Sequence, residues 1–276
     1  MLCRVLGPVE VEIDGRVVEV GGAVPRRLLT ALSTTSRPLA DDELAELVWG
    51  TEQPADIASA LRVVVSRLRT ALGPSGRDHI VRTEHGYHLV LPTEAFDHVR
   101  FVAMVNDAAA ALSAGQATVA VRRYRAALEL WRGRPWLELD GSPAIAGLQA
   151  RLDELHAVAV EESAAAQLTA GETAAAIGAL REAVAATPYR ERRWELLATA
   201  LYRSGRQADA LAELRTVRTL LTEELGIDPG PVLRDLERRM LGPGRAPAAS
   251  ALAHRGLPPD AECGGSRGAR DRHTGD

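Results

Sequence analysis

The sequence lacks the features that mark secreted, membrane-spanning and metal-bound proteins. It has two cysteines, Cys3 and Cys263, and neither lies beside another candidate ligand. A disulfide framework and a thiolate metal site are therefore both excluded. No apolar run reaches the roughly 18 residues of a membrane span, and the chain does not open on a basic stretch followed by an apolar one. We expect a protein of the reducing cytoplasm that does not contact a membrane.

Lysine is also missing, because all 33 basic residues are arginine. We interpret this as the codon bias of a GC-rich genome, which carries no functional meaning. The chain has no glycine-rich phosphate loop, no nucleophile elbow and no paired-carboxylate motif. We therefore expect neither catalysis nor a cofactor.

The overall charge does not favour nucleic acid. The net charge is −4, so any DNA-binding surface must be a local basic patch on an acidic body. The length of 276 residues is sufficient for two domains and a tail.

The first 92 residues predict a small domain of mixed structure. Valine and isoleucine alternate with acidic residues from Val9 to Asp14, which is typical of a strand with one wet face. Helical spacing of apolar residues follows, and Gly73-Pro74 is a strong signal for a helix end. The predicted elements are a hairpin over 9–20, helices over 25–32, 41–49 and 56–72, and a second hairpin over 80–91.

The remainder of the chain predicts helices. From 93 to 241 it is alanine-rich, and small or apolar residues recur 34 positions apart, as in tetratricopeptide repeats. The recurring pairs are Val160 and Trp194, Ala164 and Ala198, Ala176 and Ala210, Leu180 and Leu214, and Ala183 and Val217. We predict an all-α, tetratricopeptide-like domain over 93–241. The Gly- and Pro-rich segment 242–276 lacks periodicity and predicts a disordered tail.

The third predicted helix carries the candidate DNA-reading face. One side forms an apolar stripe, and no acidic residue occurs between Ile57 and Arg77. A sheet, three helices and a closing hairpin in this order predict a winged helix, in which the third helix enters the major groove and the hairpin is the wing. The candidate DNA-binding residues are Ser59, Arg62, Val63, Ser66, Arg67, Arg69 and Thr70 on the helix and Arg82, Thr83 and His85 on the wing.

Other interpretations of these residues are open. Arginines on a helix can form a merely solvated face, and Arg69 has an alternative partner in Glu43 or Glu46 of the second helix. His79, His85 and His88 lie close together in sequence, but nothing is placed to complete a zinc shell, so we predict no metal site. Trp131, Trp136 and Trp194 are interpreted as core residues rather than as the lining of a ligand pocket.

Several motifs resemble the Streptomyces antibiotic regulatory protein family. They include LAELVWG at Leu44 to Gly50, LELWRG at Leu128 to Gly133, LYRSGRQADAL at Leu201 to Leu211 and EELGIDPGP at Glu223 to Pro231. The resemblance runs from about residue 2 to Leu241. It implies an OmpR-type winged helix followed by a bacterial transcriptional activation domain. It also implies a homodimer on direct repeats of double-stranded promoter DNA, contact with RNA polymerase, and control of an antibiotic gene cluster.

Two segments depart from the family pattern. The first helix has Thr30, Ser33 and Thr34 where the family has more apolar residues, and the wing has Thr83-Glu84-His85 where Arg and Gly are common. We expect a weaker or differently specific minor-groove contact. The rival hypothesis is a helical-repeat adaptor, or a repressor, with weak or lost DNA binding. A fragment ending near Pro92 is expected to fold alone under the winged-helix hypothesis.

Overall fold

The computed structural model describes residues 1–242 and is mainly helical. The predicted tail, apart from Gly242, lies outside the described residues. None of the helices in residues 1–242 is both long and apolar enough to cross a membrane. The described part divides into two units, the first comprising 1–100 and 132–150 and the second comprising 101–131 and 151–242.

The first unit opens with an antiparallel sheet of three strands, β1 (Leu2–Arg4), β2 (Glu10–Ile13) and β3 (Arg16–Val18). The predicted alternation is confirmed, because Val9, Val11 and Ile13 are all at least 93% buried. Asp14 and Gly15 join β2 to β3 with positive φ angles of 52° and 77°. This is the backbone that a tight two-residue hairpin turn requires.

Three helices follow the sheet. They are α1 (Ala23–Leu32), α2 (Asp41–Trp49) and α3 (Ile57–Gly76), and each lies close to its predicted position. The regular part of α3 ends where the sequence predicts, since Gly73 leaves helical geometry at φ 67° and ψ −172°. The side chain of Asp56 caps the N-terminus of α3 by accepting a hydrogen bond from the Ser59 amide at 2.9 Å.

A second hairpin, β4 (Ile80–Thr83) and β5 (Gly86–Leu89), follows α3. Its turn has two residues, because Gly86 already belongs to β5. The loop before α2 also pairs with this hairpin, since Leu39 and Tyr87 exchange backbone hydrogen bonds of 2.8 and 3.0 Å. Gly86 has a φ of 129°, and a Cβ atom there would lie 1.8 Å from the Leu39 carbonyl oxygen. Only glycine fits at this close approach.

The segment 132–150 returns to the first unit, although the sequence assigns it to the helical region that begins at 93. Its backbone pairs with the loop that follows β1: the Trp136 amide donates to the Val5 carbonyl at 2.7 Å, and the Arg132 amide to that of Leu6 at 2.7 Å. The carboxylate of Asp97 accepts hydrogen bonds from the Val5 and Leu6 amides at 2.8 and 3.1 Å. Residues far beyond 92 therefore complete this unit.

The polar side chains at the C-terminal end of α1, Thr30 and Ser33, contact the returning segment 132–150. The indole of Trp136 is 97% buried and donates to the Ser33 hydroxyl at 3.2 Å. Glu138 accepts from the Val9 amide at 2.9 Å and pairs with Arg26 at 2.5 Å. The Thr30 hydroxyl donates to Glu138 at 3.4 Å. An apolar residue in place of Ser33 would leave the Trp136 indole unsatisfied.

The second unit is all helical. Its elements are the later part of α4 (Asp97–Ser113), α5 (Ala117–Leu128), the later part of α6 (Pro143–Thr169), α7 (Thr173–Ala186), α8 (Glu191–Arg203), α9 (Gln207–Leu225) and α10 (Pro231–Leu241). Within the 34-residue pairs, Ala164, Ala176, Ala198 and Ala210 are all at least 98% buried and share one core. Such small residues let neighbouring helices approach closely.

The core interpretation is confirmed for Trp136 and Trp194, whereas Trp131 is half-buried. Trp194 is 94% buried, and its indole donates to the Pro188 carbonyl at 2.7 Å. Trp131 stacks on His156 with ring centroids 4.3 Å apart. Their positions are explained by packing within the protein.

Candidate nucleic-acid interface

The side of α3 opposite the core is exposed and basic. Leu61, Val64, Val65, Leu68 and Leu72 are at least 93% buried, which confirms this part of the predicted apolar stripe. Ile57, also assigned to that stripe, is only half-buried. The predicted DNA-facing residues lie on the other side: Arg62, Val63, Ser66, Arg67 and Thr70 are exposed, while Ser59 and Arg69 are half-buried.

Two arginines of this face are available for a ligand. Within residues 1–242, the Arg67 side chain makes no hydrogen bond or ion pair. Arg62 donates only to the Ser59 hydroxyl at 3.3 Å, a neutral partner on the same helix. A guanidinium with free N–H groups on an exposed helix suits a guanine edge or a phosphate.

Arg69 has a different role from the ion pair that the sequence left open. Its guanidinium donates to the carbonyl oxygen of Ile80 at 2.6 Å and so joins α3 to β4. Glu43 is engaged elsewhere: it pairs with Arg37 at 2.5 Å and accepts from the Ala40 amide at 2.9 Å. These hydrogen bonds, the one from Arg37 above all, lower the pKa of Glu43 to about 2.

The predicted wing residues are partly engaged within the protein. Arg82 forms an ion pair with Asp41 of α2, and its guanidinium lies 4.6 Å from the centre of the Tyr87 ring. The hydrogen bonds that Arg82 donates to the Asp41 carboxylate raise the pKa of Arg82. Thr83 shapes the turn, because its hydroxyl accepts from the His85 amide at 3.2 Å.

The tip of the second hairpin carries little positive charge. His85 lies 3.4 Å from the carboxylate of Glu84, and both side chains are more than three-quarters exposed. An acidic residue at this position repels phosphate at short range.

Arg77 is a basic residue that sequence reasoning missed. It follows α3, is exposed, and lines a groove between α3 and the second hairpin together with Arg62, Arg69 and Tyr87. The signal that could have found it is its place beyond the Gly73-Pro74 break, where the chain turns back toward β4. Helical spacing cannot place a residue after such a break.

Comparison with known proteins identifies the family to which this chain belongs. The family described as "Bacterial transcriptional activator domain" matches residues 96–241. The chain belongs to the Streptomyces antibiotic regulatory protein family of transcriptional regulators. The predicted resemblance is thus confirmed.

Relatives in this family include longer proteins. The transcriptional regulatory protein EmbR of Mycobacterium tuberculosis is 36% identical over 240 residues, which is 86% of this chain and 62% of EmbR. The regulatory protein AfsR of Streptomyces coelicolor is 38% identical over 86% of this chain and 24% of AfsR. The chain therefore spans less than two thirds of either relative.

The fold is also similar to a solved structure. EmbR of Mycobacterium tuberculosis, in complex with a low-affinity phosphopeptide, matches with a TM-score of 0.83 and 34% identity. The match covers 91% of this chain and 67% of that chain. This chain therefore has a mainly helical fold similar to that of EmbR.

Proposed function

We propose that this chain is a sequence-specific DNA-binding transcriptional activator that acts in the cytoplasm and performs no catalysis. In this proposal the first unit is an OmpR-type winged helix whose α3 enters the major groove. The observation that carries it is the exposed α3 face, on which Arg67 lacks a partner in residues 1–242 and Arg62 contacts only Ser59.

The chemistry of this face supports reading DNA rather than solvation alone. Arginine supplies paired donors that match guanine, and serine and threonine hydroxyls reach either strand. The remaining predicted contacts on the helix, Ser59, Val63, Ser66 and Thr70, are short side chains that permit close approach to the bases.

The second unit is proposed to convert DNA occupancy into transcription. Its helices bury small residues at a 34-residue period, as tetratricopeptide-like repeats do, and stacked hairpins of this kind present extended surfaces to protein partners. RNA polymerase is the partner, and a secondary-metabolite gene cluster is the target, that the family suggests. We propose that the protein binds repeated sites as a homodimer.

The first experiment asks whether the full chain selects a DNA sequence from a random duplex pool. An enriched motif protected in footprinting is the expected result, whereas recovery of unselected sequence would favour the adaptor hypothesis. The acidic wing tip and the engaged Arg82 are the observations that favour that rival.

A second experiment separates activation from repression. Promoter occupancy and transcript level are measured together from a reporter that carries the selected motif. Transcript that rises with occupancy supports an activator, and transcript that falls with occupancy indicates a repressor.

A further inference from the structure

The groove between α3 and the second hairpin carries three arginines. Its lining includes Arg62, Ser66, Arg69, Thr70, Arg77 and Tyr87, and no acidic residue. Three guanidinium groups and three hydroxyls in one open groove form a surface complementary to a chain of phosphates.

Arg77 is an available cation of the groove, as Arg62 is. Its side chain is 60% exposed, and its one ion pair is with the adjacent Asp78 at 3.5 Å, whose side chain is 88% exposed. Arg69, by contrast, is fixed by its hydrogen bond to the Ile80 carbonyl oxygen. A contact between two such exposed neighbours is weak, so Arg77 can exchange it for a phosphate at little cost.

The tip of the hairpin offers less to a phosphate. Arg82 is paired with Asp41, and Glu84 is 84% exposed beside His85. The groove at the base of the hairpin therefore has more positive charge free for a phosphate than the tip has.

We propose that backbone phosphates of duplex DNA bind along this groove, at Arg77 and at Arg62, so that the base of the hairpin and not its tip grips the duplex. The inference rests on the proposed function and names the residue that anchors the DNA backbone. Arg77 adds affinity without reading sequence, because phosphate contacts are the same at every base pair.

The test measures the dissociation constant of the full chain for its selected duplex by fluorescence anisotropy at several salt concentrations. Arg77→Ala is expected to weaken binding about tenfold, as for loss of a hydrogen bond to a charged group. It should also lower the salt slope by about one unit, equally on selected and unrelated duplexes. Arg77→Lys keeps the positive charge and should therefore keep most of the salt dependence of binding.

Three further variants locate the contact. The pair Asp41→Asn with Arg82→Gln preserves net charge and should bind within about twofold of wild type. Glu84→Gln removes a repulsive charge and should tighten binding about two- to fivefold. Arg16→Ala, an exposed arginine on β3, is the matched control and should change nothing. Thermal unfolding of each variant verifies that it is folded.

Wild-type affinity and salt slope in Arg77→Ala would overturn the proposal, and so would a loss of slope confined to the Asp41→Asn, Arg82→Gln pair. Failure of the proposed function gives a different result, because the wild-type chain would then select no duplex at all.

Discussion

Val63 is the exposed apolar residue of the α3 face. It lies between Arg62 and Val64 with 51% of its surface accessible. In a major groove, an aliphatic side chain at this position contacts the C5-methyl group of thymine. A helix that was only solvated would gain nothing from valine here.

We therefore expect a methyl-dependent contact. Each thymine of the selected duplex is replaced in turn by deoxyuridine, which removes only the methyl group, and the affinity is measured. One replacement should weaken wild-type binding severalfold, in keeping with about 0.8 kcal/mol for one buried carbon. The affinity of Val63→Ala should not change when that same thymine is replaced by deoxyuridine. Equal sensitivity of wild type and variant at every thymine would remove Val63 from the interface.

His98 of the first unit predicts a pH dependence of stability. Its ring lies 5.2 Å from Trp136 and 5.7 Å from Phe96, and burial lowers its pKa to about 4. An unfolded histidine titrates near about 6.5, so the unfolded chain gains its proton first as the pH falls. This contribution to stability is complete above about pH 6.5 and decreases down to about pH 4, by about 1.4 kcal/mol per pH unit.

The measurement is urea unfolding of wild type and His98→Phe between pH 7 and pH 4. The variant should lose stability less steeply with acid than wild type. Some slope should remain, because burial also lowers the pKa of His156 in the second unit to about 4. Parallel curves for the two proteins would show that His98 is not buried in this way.

At the scale of elements, the second hairpin depends on the backbone contact between Leu39 and Gly86. Gly86→Ala forces a Cβ atom against the Leu39 carbonyl oxygen at a positive φ angle. We expect a loss of roughly 2 to 4 kcal/mol in the free energy of unfolding, from strain and overpacking together. Gly15→Ala is the control, since φ is also positive there but the space is open. A loss no larger at Gly86 than at Gly15 would contradict the role of the contact.

The elements themselves could be predicted from sequence because their signals are local. The alternation from Val9 to Ile13, the stripe from Leu61 to Leu72 and the Gly73-Pro74 break each lie within one element. The bridge from Leu39 to Tyr87 and the ion pair from Asp41 to Arg82 each join residues more than 40 positions apart. No periodicity encodes such pairs, so they appear only in the folded chain.

For the same reason, only part of the candidate site could be predicted from the sequence. Exposure of Arg62, Arg67 and Thr70 followed from the spacing of the apolar stripe. The partner of Arg69, the engagement of Arg82 and the position of Arg77 depend on how the hairpin returns to α3. Contact of any of these residues with DNA stays a prediction.

At the scale of the whole molecule, the return of segment 132–150 changes what a truncation can test. A fragment ending at Pro92 lacks Asp97, Trp136 and Glu138, which satisfy backbone amides at Val5, Leu6 and Val9 and the hydroxyl of Ser33. Each of these hydrogen bonds contributes about 0.5 to 1.5 kcal/mol, and loss of a buried tryptophan costs about 3 to 5 kcal/mol. These losses rival the stability of a small domain.

We therefore expect the fragment 1–92 not to fold stably by itself, contrary to the expectation from sequence. Amide hydrogen exchange of β1 and α1, compared between the fragment and the full chain, measures this directly. Protection in the fragment equal to that in the full chain would show that segment 132–150 adds nothing to the first unit.

If the exposed face of α3 reads DNA, Arg67 is the side chain whose loss should affect binding most clearly. The measurement is the dissociation constant of the full chain for its selected duplex, compared among wild type, Arg67→Ala and the control Arg16→Ala. Arg67→Ala should lose about 1 to 3 kcal/mol of binding free energy and tolerate a changed base pair at one position, while Arg16→Ala binds as wild type. Wild-type affinity and specificity in Arg67→Ala would contradict the claim.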